Sequence, residues 1–122
     1  TCFLEPETAL PMIYMPDLLK ASVDLMNADE SRLTRRVYNL GSMSFTPDLL
    51  RKAIKKHIPE FEMDYDVDFR QEIANTWPKK IDDSCATADW DWNPEYDVDR
   101  MTEEMLKDLR AAKSKKDKKK KK

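Results

Sequence analysis

"VYNLGSMSFTPDLLRKAI", Val37 to Ile54, holds the only glycine of the chain, Gly41. The run before it, Arg36–Gly41, is rich in β-formers and predicts a strand, which Gly41 closes where the chain turns without a Cβ penalty. Helix-start signals follow. Thr46 is a good N-cap, Pro47 suits the first helical position, where its missing N–H costs nothing, and Phe45 and Leu50 are spaced as a hydrophobic staple. Leu49, Leu50, Ala53, Ile54 and Ile58 form the apolar stripe, while Arg51, Lys52, Lys55 and Lys56 make a solvated outer face. A strand feeding directly into a helix is an α/β signature.

Toward the N-terminus, "CFLE" (Cys2–Glu5) and "PMIYM" (Pro11–Met15) are short apolar runs bounded by prolines, read as extended segments on either side of a "PETAL" loop. "MPDLLKASVDLMNAD" is an amphipathic helix ending near Asn27–Asp29. Pro16 sits at its start, Asp17 in its first turn, and Leu18, Leu19, Ser22, Val23, Leu25 and Met26 on its apolar side. Toward the C-terminus, "FEMDYDV" (Phe61–Val67) alternates strictly and predicts a half-buried strand. Asp64, Asp66 and Asp68 beside it lack the glycine of a calcium loop and read as a solvated acidic face. "DFRQEIANTW" predicts a short helix, and "DDSCATADWDW" another, capped by Asp82 or Asp83. "YDVDRMTEEMLKDLRAAK" predicts a closing helix capped by Asp97, with Val98, Met101, Met105 and Leu109 on its apolar side and Glu103 in reach of Lys107. These elements are too few in strands for a free-standing doubly wound sheet.

The 122 residues, 40% hydrophobic and 38% charged, suit one soluble globular domain. Residues 1–112 are read as that lobe and 113–122 as a disordered polylysine tail. The tail holds eight Lys and one Asp, leaving 14 basic against 23 acidic residues, a net charge of −9, in the rest. An acidic body argues against nucleic acid as a partner except through the tail. No apolar run reaches the roughly 18 residues of a membrane span. The start "TCFLEPETALP" has neither the basic nor the apolar region of a signal peptide, lacks an initiator Met and reads as the interior of a longer chain. Cys2 and Cys85, far apart and outside any CxxC, read as reduced intracellular thiols.

Known catalytic patterns are missing. One glycine excludes G-x-G-x-x-G and Walker loops, which need several residues free of Cβ around a phosphate. No Tyr has a Lys four residues on: the residues there are Leu18, Ser42, Phe69 and Arg100. There is no G-x-S-x-G elbow, and His57 is the sole histidine. No catalytic, cofactor-binding or metal-ligating residue is assigned, which leaves a substrate- or partner-binding piece.

Three ordered stretches then carry a family resemblance. "LPMIYMPDLLKASVDLM", "VYNLGSMSFTPDLLRKAI" and "DDSCATADWDWNPEYDVDRMTEEML" resemble successive signatures of the extended short-chain dehydrogenase/reductases, the NAD-dependent epimerase/dehydratase-like group, across nearly all of Phe3–Leu109. The wording is most similar to the C-terminal part of the L-threonine 3-dehydrogenase type, through "LPM-x-YM-x-D", "MSFTP", "KHIPEF" and "WP-x-x-x-DDS". The resemblance implies an α/β fold, that of the C-terminal substrate-binding lobe without its Rossmann nucleotide-binding half. It implies NAD as cofactor of the parent enzyme, with none expected for this chain alone, and oxidation of L-threonine to 2-amino-3-ketobutyrate by a Tyr/Lys pair that this chain lacks. The isolated chain is accordingly expected to be inactive.

On that resemblance Thr8, Leu10, Pro11, Met12 and Trp77 are the candidate substrate-binding residues. An apolar loop with a hydroxyl holds the polar ends of the substrate and an indole excludes water. The plainer readings stay beside these: Thr8 as a turn hydroxyl, Trp77 as an ordinary core or lid aromatic. Arg70 faces either a substrate carboxylate or an ion pair with Glu72 or Asp66. Asp17 and Asn39 read as structural. Asp91 stands where the family has Gly, so the turn there must be reached otherwise.

Two rival readings remain. One is a sugar-nucleotide epimerase or dehydratase lobe; Leu10 and Pro11 stand where such enzymes often carry a phosphate-binding Arg. The other is a non-enzymatic fragment or interaction module with a basic tail. The implied partners are L-threonine together with the nucleotide-binding half, self-association through an exposed apolar face, and no membrane. The implied location is intracellular, cytoplasmic or mitochondrial.

Overall fold

Two three-residue strands, β1 (Leu10–Met12) and β2 (Met43–Phe45), pair antiparallel with Leu10 opposite Phe45, Pro11 opposite Ser44 and Met12 opposite Met43. The computed structural model describes residues 1–120, with side chains through residue 114. Around the β1–β2 ribbon stand α1 (Met15–Asn27), α2 (Pro47–His57), α3 (Arg70–Asn75), α4 (Ser84–Trp90) and α5 (Val98–Lys120), with one 3-10 turn at Glu30–Arg32.

The helix starts follow their local chemistry. Thr46 accepts the Leu49 N–H at 3.2 Å and Pro47 opens α2, whose last turn, Lys55, Lys56 and His57, sets basic groups at the negative end of the helix dipole. Asp97 accepts the Arg100 N–H at 2.8 Å at the start of α5. α2 packs against α5. The other half of the core sets small against large: Ala21 of α1 and Ala86 of α4 are buried with Trp90 and Trp92, whose rings lie 5.7 Å apart. Alanine lets the backbones approach closely enough for the two indoles to fill the space between them.

Several elements differ from expectation. Arg36–Gly41 finds no ladder among the described residues, and the pairing falls instead on Met43–Phe45. Cys2–Glu5 and Phe61–Val67 make one parallel bridge, Cys2 with Tyr65, rather than a ladder. α1 packs through Asp17 and Ala21, leaving Leu19, Val23 and Met26 exposed on its outer side. On α5, Met101 is buried but Met105 and Leu109 are exposed, because an eleven-residue α2 cannot cover a twenty-three-residue α5. Lys107 pairs with Glu104 at 3.9 Å, not with Glu103. α5 itself runs to Lys120, into the segment read as a disordered tail; Ala and Lys are good helix formers. Lys121 and Lys122 of that tail lie outside the described residues.

Candidate functional site

The β1–β2 ribbon and the segment leading into α4 enclose a cleft of about 410 Å³. Pro11, Met12 and Ile13 form one wall, Leu40–Ser44 the floor, and Lys80, Ile81 and Asp83 the far side. It combines apolar side chains with the Lys80 ammonium, the Asp83 carboxylate and the Ser42 and Ser44 hydroxyls, a mixture that suits a small, polar-ended ligand.

Gly41 sets the floor. It has no positive φ, so a left-handed turn is not the reason for glycine here. A Cβ at this position would lie 2.9 Å from Asp83 Oδ2 and 3.0 Å from the Ile81 carbonyl oxygen. The space that a phosphate glycine would offer is therefore filled by a carboxylate and a carbonyl, and the residues present do not fit the pyrophosphate of NAD. The Trp92 indole N–H completes the joint, donating to the Gly41 carbonyl at 2.8 Å and to Asp83 Oδ2 at 3.0 Å.

Two carboxylates, one of them behind the cleft, tie distant segments together. Asp17, 1% exposed, accepts the N–H groups of Glu95 at 2.9 Å and Tyr96 at 3.1 Å. The Ser42 hydroxyl lies between Asp17 and the Tyr96 carbonyl at 3.4 and 3.3 Å. Asp89, on α4, accepts from the Tyr38 hydroxyl at 2.6 Å and from the Thr34 hydroxyl and N–H at 2.7 and 2.9 Å. The Tyr38 bond, then those from Thr34, hold the Asp89 carboxyl below its ordinary value; burial, then the bond to Asp89, pushes the Tyr38 phenol up.

Of the residues read from the sequence, the cleft brings together Pro11 and Met12. Leu10 lines a separate apolar pocket of about 140 Å³ with Leu4, Phe45 and Leu50, which Met12 also reaches. The Thr8 hydroxyl is taken up by Gln71, a buried side chain of α3, with Oε1 at 3.0 Å and Nε2 at 2.9 Å. Trp77 is 57% exposed just past α3 and does not line the cleft. Arg70 is engaged by Asp68, with Nε 3.0 Å from Oδ1 and Nη2 2.6 Å from Oδ2, and its guanidinium lies 3.5 Å over the Phe3 ring. Its ion-pair partner is thus neither Glu72 nor Asp66.

Sequence reasoning missed Ser42, Lys80, Asp83, Gln71 and Asp89. Only Asp83 carried a signal, as a candidate cap of α4, and that signal gave no hint of the cleft. Asp91 answers its own departure from the family pattern: it adopts φ 61° and ψ 33° as the residue closing α4, held by Arg32 Nη1 at 2.9 Å. Among the described residues no group of three His, Cys, Asp or Glu could hold a metal, and no helix is long and apolar enough to cross a membrane.

No protein-family model matches the chain. The L-threonine dehydrogenase of Phytophthora infestans is 50% identical and superposes with a TM-score of 0.88 over 91% of this chain and 36% of its own. The GalE-like L-threonine dehydrogenase of Cupriavidus necator is 46% identical, TM-score 0.85, over 88% of this chain and 39% of its own. A Staphylococcus aureus protein described as an uncharacterized epimerase/dehydratase is 46% identical over 108 residues, 87% of this chain and 34% of that protein. The fold is that of part of an extended short-chain dehydrogenase. Within that class the chain corresponds to the L-threonine 3-dehydrogenases of the GalE-like type, and it spans about a third of the length of the relatives it matches.

Proposed function

We propose that the chain is the C-terminal, substrate-side lobe of an NAD-dependent L-threonine 3-dehydrogenase, taking L-threonine to 2-amino-3-ketobutyrate. The observation that carries this is the 50% identity with the Phytophthora infestans enzyme along 91% of the chain. NAD and the groups that move hydride and proton come from outside these residues, so the chain by itself is inactive in this reading. Its own part is to bind and orient: Pro11, Met12 and Ile13 exclude water, Lys80 pairs with the substrate carboxylate, and Asp83 faces the ammonium. The lobe is residues 1–112 with the lysine run as an appendage, and the free thiols of Cys2 and Cys85 fit an intracellular protein, cytoplasmic or mitochondrial.

A second reading, a sugar-nucleotide epimerase or dehydratase lobe, is favoured by the description of the Staphylococcus aureus relative. The test is a chimera of the Phytophthora infestans enzyme in which this chain replaces the matched third, assayed for NAD reduction. Turnover of L-threonine, with a raised KM in Lys80→Met, supports the first reading. A folded, NAD-binding chimera that converts nucleotide sugars and leaves L-threonine untouched supports the second.

A further inference from the structure

The second half of α5 leaves the body of the lobe. Every residue from Lys107 to Ser114 is exposed, and among the described residues the last hydrogen bond from this helix to the rest of the chain runs from Arg110 Nη2 to the His57 carbonyl at 3.5 Å. Lys113–Lys122 then carries eight Lys and one Asp, a charge of +7 against −9 in the rest. At the helical rise, Lys120 stands about 15 Å along α5 from Arg110, roughly two Debye lengths at physiological salt, so the acidic body does not neutralise the run. Within the run, lysines recur at i,i+3 and i,i+4, spacings at which like charges weaken a helix. A countercharge from outside relieves that repulsion.

The pattern of the run selects among polyanions. Six lysines occupy positions 113–120, which as a helix extend about 12 Å, or one positive charge per roughly 2 Å. Duplex DNA carries one negative charge per about 1.7 Å of its axis, a close match in linear density. Positions 113, 115, 116, 118, 119 and 120 fall around more than half of the helix, with Ser114 and Asp117 on the remaining side. A flat lipid surface meets one side of a helix, whereas phosphates line both walls of a groove, and the major groove of B-form DNA admits an α-helix. The run contains no Arg and no aromatic residue, so it offers neither bidentate base reading nor stacking.

We propose that residues 113–122, projecting from the lobe as the end of α5, bind the phosphate backbone of duplex DNA without regard to sequence. The inference stands apart from the substrate reading. Fluorescence anisotropy of the full chain with a labelled duplex of about 20 base pairs tests it, since each neutralised phosphate adds about 0.9 to the slope of log affinity against log salt. About six contacts give a slope near −5, a loss on the order of 1,000-fold between about 50 and about 200 mM salt. Asp117→Lys is expected to steepen the slope by about one, and the pair Lys116→Gln with Lys119→Gln to flatten it by about two. A chain ending at Ala112 is expected to lose the binding while keeping its melting temperature, because the run lies beyond the last contact of α5 with the body.

No binding at about 50 mM salt, binding that survives removal of the run, or a slope that ignores both sets of substitutions would overturn the proposal. Equal affinity for a single strand of the same length would remove the groove from the argument and overturn it as well. So would a marked preference for one duplex sequence over another, or tighter binding to phosphatidylcholine vesicles containing phosphatidylserine, which would make a lipid surface the occupant.

Discussion

The carboxylate of Asp17 and the backbone N–H of Tyr96 meet at 3.1 Å across 79 residues of sequence, with the Glu95 N–H beside them at 2.9 Å. Asp17 thereby joins the first turn of α1 to the segment that enters α5, directly behind the cleft floor at Ser42. Replacing it strands two backbone donors in a site where the side chain is 1% exposed. Asp17→Ala is expected to cost about 2–4 kcal/mol, and Asp17→Asn nearly as much, because an amide nitrogen turned toward one N–H sets donor against donor. Urea denaturation measures both; a change below about 0.5 kcal/mol in each would show that the joint holds nothing together.

Asp89 makes stability depend on acid. Its folded-state pKa is lowered, first by the Tyr38 hydroxyl and then by Thr34, so its contribution is complete above the ordinary carboxylate range and disappears as pH falls through the folded value. Melting temperature should therefore drop below about pH 4. The loss should be smaller in Tyr38→Phe, which removes the largest cause. Exposed pairs such as Arg70 with Asp68 and Arg32 with Asp91 also lower their carboxyls, but salt screens them. The Tyr38→Phe difference should survive in about 0.5 M salt, where the Debye length falls to roughly 4 Å and exposed charges are screened more than a partly buried hydrogen bond.

Gly41 is a packing glycine. Gly41→Ala places a methyl 2.9 Å from Asp83 Oδ2 and 3.0 Å from the Ile81 carbonyl, so either the α4 entry or the cleft floor must shift. A loss of about 1–3 kcal/mol is expected. Asp83→Ala in the same chain should recover only part of it, since the Ile81 carbonyl remains. A full recovery would mean that the backbone contact is relieved without cost.

Asp91 holds a left-handed backbone conformation that L side chains resist. Asp91→Gly should raise the melting temperature by roughly 2–5 °C, reduced a little by losing an exposed pair with Arg32. Asp91→Ala keeps the backbone strain and loses the pair, so it should lower the melting temperature. Calorimetry that ranks Ala at or above Gly would refute the strain argument.

What the chain settled by itself is local. Thr46 and Pro47 set the start of α2, Asp97 the start of α5, and Pro16 that of α1, because capping and the proline ring act within one turn. The family resemblance was legible as well, since it lies in ordered strings of residues rather than in contacts. The tertiary structure alone decided which apolar residues are buried. Leu19 and Val23 look like core by spacing, yet the small Ala21 faces the tryptophans and they do not. Nor could spacing show that Thr8 is bound by Gln71, 63 residues away, or that Gly41 makes room for Asp83. Such pairings depend on how distant segments meet, and periodicity along one segment holds no information about the surface that another segment brings to it.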